Sequence, residues 1–160
     1  MKKELNFLVI LDESDEMFDA LRYASLRAAR VSGKVVLLYT FDKIDFSHWK
    51  AVENIAEKES REEAEEKIKE YENFVMSLSN NKPKKYIMKG DRISCILEFL
   101  NSNKFVSNLI LASSSSPVGP GPLISGFTGK YKTELKVPLT IIPANLSEEE
   151  IDNLFLFSIL

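Results

Sequence analysis

The sequence of 160 residues has only one cysteine, Cys95, and one histidine, His48. A single cysteine cannot form a disulfide within the chain, and a single histidine rules out zinc sites built from several cysteines and histidines. No apolar run reaches the roughly eighteen residues that a membrane-spanning helix needs. The first apolar stretch reaches Asp12 without the small residues of a signal-peptide cleavage site. We therefore expect a cytoplasmic protein in a reducing compartment.

An excess of positive charge is also missing. The 21 Lys and Arg residues are outnumbered by 24 Asp and Glu, which gives a formal net charge of -3. Nucleic acids and anionic membranes attract basic surfaces, so neither is expected as a partner. The apolar fraction of 44% and the charged fraction of 28% are typical of a globular domain. The sequence thus predicts one domain over residues 1–160.

Apolar strands alternate with amphipathic helices along the whole chain. The predicted strands are Phe7–Leu11, Val35–Phe41, Lys85–Met88, Leu109–Ala112 and Val137–Ile142. The first two predicted helices run from a cap at Ser14 or Asp15 to Gly33 and from Ser47 to about Leu78. The third begins at the cap Asp91 and includes Leu100, and the fourth contains Phe127, Tyr131 and Leu135. The last runs from Ser147 to about Phe157. This alternation predicts an α/β protein with a doubly wound parallel sheet.

The last predicted helix begins with a capping box, because Glu150 follows Ser147 by three residues. Its apolar residues Ile151, Leu154 and Phe155 are expected to dock on the same subunit or on a second one.

Turn-forming residues are concentrated between Ser113 and Lys130, which hold four of the six glycines and three of the six prolines. Ligands of open parallel sheets bind beyond the carboxyl ends of the strands, where the strand order reverses. Asp12 and this loop follow two such ends. A carboxylate there can accept hydrogen bonds from a ribose or help to hold a metal, and successive backbone N–H groups can bind a phosphate. The alternative for Asp12 is a helix cap.

Known catalytic and nucleotide motifs are missing. The dipeptide Gly129-Lys130 lacks the remainder of a P-loop, and DESDE follows the first strand in place of G-x-G-x-x-G. A response-regulator receiver needs an aspartate directly after the third strand and a lysine directly after the fifth, and this sequence has neither at those positions. No base is identifiable for the serines at 113–116, while His48 is expected at the surface and Cys95 in the core. The sequence does not predict a hydrolase.

Taken together, these segments resemble the universal stress protein family. The resemblance covers about residues 5–144 and rests on LVILDESDE, LRYASLRAAR, LLYTFD, MKGD, NLILASSSS and PLTII. It implies an adenine-nucleotide alpha-hydrolase-like fold, a three-layer sandwich whose five-stranded parallel sheet has the order 3-2-1-4-5. The helix after Ser147 would be an addition to that core.

The nucleotide signature of the family, G-x2-G-x9-G-[ST], falls on Ser113, Ser116, Gly126 and Phe127, so only Gly126 agrees with it. Serine adds a Cβ and restricts φ, so weaker nucleotide binding is expected. By resemblance, Asp12 is the nucleotide-contacting acid and Thr40 belongs to the adenine pocket. The hydroxyls of Ser114 and Thr128 are expected to add donors to the phosphate loop. ATP is the implied cofactor, with Mg²⁺ only alongside ATP.

The resemblance also implies a homodimer through the fifth strand, Val137–Ile142, which prolines bound on both sides. The expected function is a cytoplasmic stress-response module that acts through an unknown protein partner. Two alternatives stay open, a slow ATPase or other phosphate-handling enzyme, and a structural dimer with no small-molecule ligand.

Overall fold

A parallel sheet of five strands lies at the centre of the structure, a computed structural model that describes residues 3–43 and 49–156. The strands are β1 Asn6–Leu11, β2 Lys34–Phe41, β3 Lys84–Lys89, β4 Asn108–Ala112 and β5 Leu139–Ile142. All neighbours pair in parallel, in the order β3-β2-β1-β4-β5. The predicted α/β fold and strand order are confirmed.

Helices cover both faces of the sheet and complete three layers. They are α1 Met17–Val31, α2 Lys50–Ser79, α3 Arg92–Ser102, α4 Pro122–Thr128 and α5 Glu148–Asn153. One core cluster joins the sheet to α1 and α2, and a second joins it to α3 and α4. Within the described ranges, none of these helices combines the length and apolar character of a membrane span. The predicted start of the second helix at Ser47, and His48, lie outside the described residues.

Side chains of the central strand alternate between the two cores. Phe7, Val9 and Leu11 pack in the cluster with α1 and α2, whereas Leu8 and Ile10 pack in the cluster with α3 and α4. All six residues of β1 are buried. Each fully buried aliphatic side chain contributes about 1.5–3 kcal/mol, which explains why a strand covered on both faces has an unbroken apolar sequence.

Helix α1 begins and ends differently from the prediction. Its N-cap residue is Glu16, and no side chain caps it, so neither Ser14 nor Asp15 has the expected role. At the other end Ser32, with φ 53°, adopts the left-handed conformation expected of Gly33. Gly33 is needed for another reason, since a Cβ there would lie 2.4 Å from the Leu5 carbonyl oxygen. The glycine thus permits close packing beside β1.

The helix predicted along Phe127, Tyr131 and Leu135 lies earlier in the chain. Helix α4 begins at Pro122, where the fixed φ of proline suits a first helical position and its missing N–H costs no bond. Phe127 is buried in α4, while Tyr131 and Leu135 follow it and still pack on the second core. The spacing of four therefore identified core residues but not the helix.

The last two elements are shorter than predicted. Strand β5 begins at Leu139, because Pro138 has no N–H to donate to the sheet. The capping box of Ser147 and Glu150 is confirmed. Ile151 and Phe155 are buried as expected, whereas Leu154 is 54% exposed and does not dock on its own subunit.

Helix α5 docks on α1 of the same chain. Asp152 binds Arg22 through two hydrogen bonds of 2.8 Å, and the rings of Tyr23 and Phe155 lie 5.3 Å apart. Arg22 lowers the pKa of Asp152 through these bonds. The predicted end of this helix at Phe157 lies outside the described residues.

Candidate functional site

The strand order reverses between β1 and β4, and several predicted site residues lie at that point. After β1 the chain builds β2 and β3 on one side, and β4 and β5 form on the other. Asp12 follows β1, and Ser113 follows β4. Leu11 pairs with Tyr39, and each of these residues is followed directly by a predicted site residue, Asp12 after β1 and Thr40 within β2. The fold therefore brings Asp12, Thr40 and Ser113 to one edge of the sheet, where parallel sheets bind ligands.

Asp12 shapes the turn that follows β1. Its Oδ1 accepts hydrogen bonds from the Ser14 N–H at 3.0 Å and from the Ser14 hydroxyl at 2.6 Å. Such a bond to the backbone two residues ahead is an Asx turn. Among residues 3–43 and 49–156, no hydrogen bond reaches Oδ2 of Asp12. One carboxylate oxygen thus holds the loop, and the other can accept a bond from a ligand.

Glu13 holds the backbone beside Asp12 in place, and the sequence did not predict this role for Glu13. Its φ of 61° is left-handed, an uncommon conformation for a residue with a side chain. Its carboxylate accepts bonds from Lys67 Nζ at 2.9 Å and from the Tyr39 hydroxyl at 3.5 Å. The bonds to Glu13 and Glu63 raise the pKa of Lys67. Lys67 is remote in sequence, so only the tertiary structure could identify this tether.

Thr40 is buried on β2 and is covered by an arginine that the sequence reading missed. Its exposed fraction is 7%, and its Oγ1 accepts a hydrogen bond from Arg92 Nε at 3.3 Å. Arg92 is the first residue of α3 and follows the N-cap Asp91. The segment MKGDR contains it, but only the docking of α3 on the sheet shows that it reaches Thr40.

The serines after β4 form their hydrogen bonds within the protein. The N–H of Ser113 donates to the Ile142 carbonyl at 2.9 Å, and the N–H of Ser114 donates to the Pro120 carbonyl at 2.9 Å. The N–H of Ser116 donates to Ser114 Oγ at 3.1 Å. The N–H of Val118 in turn donates to Ser116 Oγ at 3.2 Å. These backbone donors, predicted to bind phosphates, are therefore already used.

Gly126 and Thr128 lie within α4. A Cβ on Gly126 would come within 2.9 Å of Cδ1 at the flexible end of Ile93, so a larger residue there would require only the Ile93 side chain of α3 to shift. The Thr128 hydroxyl donates to the Ile124 carbonyl at 2.6 Å, one turn earlier in the same helix. Both predicted site residues thus serve the structure of α4 in this conformation.

A small cavity separates Asp12 from the loop. Its volume is about 30 Å³, which holds on the order of one or two water molecules. Its walls come from the ends of β1 and β4, from α1, and from the loop and α4 residues Pro120, Gly121, Pro122, Leu123 and Ile124. In this conformation the cavity is too small to hold a nucleotide.

The other side of the serine loop faces an acidic groove of about 430 Å³. Asp15, Glu16 and Asp19 line it opposite the serines at 113–116. Partial burial, and then the nearby charges of Glu148 and Glu16, raise the pKa of Asp19. Within the described ranges, no group of three His, Cys, Asp or Glu side chains is arranged to hold a metal ion. The carboxylates of Asp15, Glu16 and Asp19 disfavour a phosphate group on this side of the loop.

Cys95 packs in the core of α3, as predicted. It is 3% exposed, and burial raises the pKa of its thiol. The thiolate is disfavoured, so Cys95 is a packing residue rather than a nucleophile.

No protein-family model matches the sequence, and no curated protein matches it. Solved structures do match the fold. The universal stress protein UspA from Lactobacillus plantarum has a TM-score of 0.70 and 17% identity, covering 89% of this chain and 99% of its own. A universal stress protein family structure from Burkholderia pseudomallei has a TM-score of 0.63 and 18% identity, covering 90% of this chain and 99% of its own.

A third structure is a universal stress protein in complex with cAMP. Its TM-score is 0.59 with 14% identity, and the match covers 88% of this chain and 98% of its own. At these identities the likeness shows the fold. The expected resemblance to the fold of universal stress proteins is confirmed.

Proposed function

We propose that this chain is a universal stress protein-like module, a cytoplasmic homodimer that acts through a protein partner in stress response and binds an adenine nucleotide weakly. The observation that carries the proposal is the fold, shared over nearly the whole chain with universal stress proteins, one of which holds cAMP. The position of Asp12 and Thr40 at the same carboxyl edge of the sheet supports it. The roles proposed for them are a ribose contact for Asp12 and a base contact for Thr40.

ATP does not fit the loop side of this site in its present conformation. The cavity of about 30 Å³ is far smaller than a nucleotide, and the loop N–H groups of Ser113, Ser114 and Ser116 are already bonded. A triphosphate would also face the carboxylates of Asp15 and Asp19 across the loop. Binding of ATP, with Mg²⁺ on its phosphates, would require the loop to open. Weak binding is the consequence.

Isothermal titration calorimetry with AMP and ATP tests the nucleotide part of the proposal. The protein is expected to bind both weakly, and Asp12→Asn should weaken AMP further while keeping an oxygen for the Ser14 bonds. Val118→Ala, at a residue 96% exposed, is the control. Mass spectrometry of small molecules released from the purified protein identifies any ligand retained from the cell. Absence of binding by every nucleotide would contradict this part.

The proposed dimer forms through the free edge of β5. An unpaired edge strand offers N–H and C=O groups to a second chain, and Ile141 on this edge is 40% exposed. Light scattering should give the mass of a dimer for the protein. Ile141→Lys should shift it toward the monomer, while Val118→Lys, at a residue 96% exposed in the loop, should not. A monomer at micromolar concentration would contradict the proposal.

A second candidate function is a module with no small-molecule ligand, which the small cavity and the internally bonded loop favour. It predicts a dimer that binds no nucleotide. The slow-ATPase alternative has no such support. The hydroxyl oxygens of Ser114 and Ser116 accept hydrogen bonds from backbone N–H groups, and neither contacts a side chain that could act as a general base.

A further inference from the structure

The sheet has a second free edge, at β3, which the proposed dimer does not use. β3 lies at the end of the strand order opposite β5, and its six residues pair with β2 alone. The Gly90 N–H donates to the Phe41 carbonyl at 2.9 Å, which fixes the phase of this ladder. Because the N–H and C=O groups of successive residues alternate in direction along a strand, those of Lys85, Ile87 and Lys89 point away from β2.

These outward groups are unpaired in the part of the chain that the structure describes, since no hydrogen bond there uses the N–H of Lys85, Ile87 or Lys89. A row of unpaired N–H and C=O groups is a template for a further strand. The free edge of β3 can therefore bind an extended segment through its main chain.

A groove of about 510 Å³ lies between this edge and α2. Ile68 of α2 and Ile87 of β3 line it, and both belong to the core packing between the sheet and the helix. Arg61 and Lys69 of α2 also line the groove, together with the acid Glu65. The groove gives the side chains of an added strand a place beside the unpaired backbone.

The charge of β3 disfavours a second copy of this chain as the added strand. Its sequence, KKYIMK, has three lysines and no acid. In a two-fold antiparallel pair of β3 strands centred on Ile87, Lys85 of one copy would lie opposite Lys89 of the other. Like charges directly opposite each other destabilise such a pair, whereas opposite charges stabilise it. A strand that carries carboxylates is the complementary occupant.

Lys85 is the lysine of β3 best placed to bond such a carboxylate. Its Nζ lies 3.7 Å from Glu72 Oε1, which is too long for a hydrogen bond, and its side chain is 47% exposed. Lys89 differs, because its Nζ donates to Glu57 Oε2 at 2.8 Å. A carboxylate opposite Lys85 would thus form a contact that the chain itself does not supply.

We propose that the free edge of β3 binds an extended peptide segment of a protein partner, which adds a sixth strand to the sheet and places a carboxylate opposite Lys85. Main-chain hydrogen bonds would hold the segment, and the cross-strand charges would select it. This inference rests on the protein partner of the proposed function and needs neither the nucleotide site nor the β5 dimer.

Amide hydrogen exchange measured by NMR, with the peptide acetyl-Thr-Glu-Val-Thr-Val-Glu-Thr-amide as probe, tests the inference. This sequence is the same in both strand directions, so a glutamate can lie opposite Lys85 in either. The outward N–H groups of Lys85, Ile87 and Lys89 should exchange rapidly in the free protein and at least about tenfold more slowly with saturating peptide. The N–H groups of Tyr86 and Met88, which face β2 in the same alternation, should be protected in both states.

Charge variants separate selection by Lys85 from general stickiness of the edge. The same peptide with lysine in place of both glutamates should bind at least about tenfold more weakly. Lys85→Gln should weaken the glutamate peptide by about threefold or more. Lys82→Gln removes the same charge just before β3 begins, and it should change the affinity by less than about twofold.

The outcomes distinguish this inference from the rest of the proposed function. Unchanged exchange of the three outward amides with the glutamate peptide at about 2 mM would overturn it. Protection of these amides in the free protein that is lost on dilution would overturn it in favour of a second copy. Equal binding of the two peptides would overturn the charge selection. Failure of nucleotide binding or of the β5 dimer would contradict those parts of the proposed function and leave the exchange pattern at β3 as expected.

Discussion

The two ends of the candidate site satisfy their polar groups in opposite ways. At the arginine end, formed by Thr40, Asp91 and Arg92, Arg92 donates to Thr40, and among the residues that the structure describes no carboxylate forms a salt bridge with it. At the serine end, residues 113–122, the donors of Ser113, Ser114 and Ser116 bond to atoms of the chain itself. The spacing of a sequence signature thus locates a loop. Whether that loop can bind a ligand depends on whether its N–H groups are already hydrogen-bonded within the protein.

The largest effect is expected where the serine end is closed by apolar packing. Leu123 is 6% exposed and lines the small cavity. Leu123→Ala should lower the free energy of unfolding by about 2–4 kcal/mol, since it removes buried methyl groups and enlarges a cavity. Urea denaturation measures this change.

Val118→Ala is the matched control, because Val118 belongs to the same loop and is 96% exposed. It should change the free energy of unfolding by less than about 0.5 kcal/mol. Equal stability of the two variants would show that apolar packing does not close the serine end.

A smaller effect is expected from loosening the serine end. Ser113→Gly with Ser116→Gly removes the acceptor of the Val118 N–H and widens the φ range of the loop. The loop should open more readily, and ATP affinity should rise by about tenfold at most, or about 1.4 kcal/mol. The Ser113 N–H stays bonded to Ile142, which limits the gain.

Ser115→Gly is the control for that double variant, since Ser115 lies in the same run but outside the signature spacing. Calorimetry with ATP compares the two. An equal gain in both would mean that general flexibility, not the signature positions, governs access. No gain in either would place the barrier elsewhere, in the prolines of the loop.

The smallest effects concern two aspartates with opposite pH dependence. Burial and nearby acids raise the pKa of Asp19 above its ordinary value of 3.8 at the serine end. Its ionisation therefore costs stability progressively as pH rises from 3.8 through the higher folded pKa, the cost is complete above the folded pKa, and it is absent below 3.8. Asp19→Asn should raise the melting temperature at pH 7 and have no effect below about pH 3.8.

Asp91 at the arginine end has the opposite sign. The hydrogen bonds from Ser94 lower its pKa below 3.8. Its contribution is therefore fully present above 3.8 and is lost as pH falls through the lower folded pKa. Asp91→Ala should lower the melting temperature at pH 7, with a difference that shrinks in acid. Parallel pH dependences for the two variants would contradict the contrast between the ends.

Sequence reasoning succeeded where a pattern depends on neighbours along the chain. The caps of Asp91 and Ser147 were predicted from local residue types, and both are present. It failed at the start of α1, where Asp12 bonds Ser14 and leaves the helix without a side-chain cap. Local propensity allowed either arrangement, and packing chose between them.

The candidate site was predicted in part. Asp12, Thr40 and Ser113 do lie at one edge of the sheet, because strand ends meet wherever a parallel sheet forms. Arg92 and Glu13 were missed, since their importance depends on contacts with Thr40 and Lys67, which are distant in sequence.

The amino-acid sequence by itself determined the elements and their order, because the burial of strands and helix faces requires apolar residues at spacings of two and of three to four. Only the tertiary structure decided what the strand ends can bind. There the outcome depends on which donors are already bonded, on the size of the cavity beside Asp12, and on how the nearby charged groups are paired. Those are distances between residues far apart along the chain, and no local pattern encodes them.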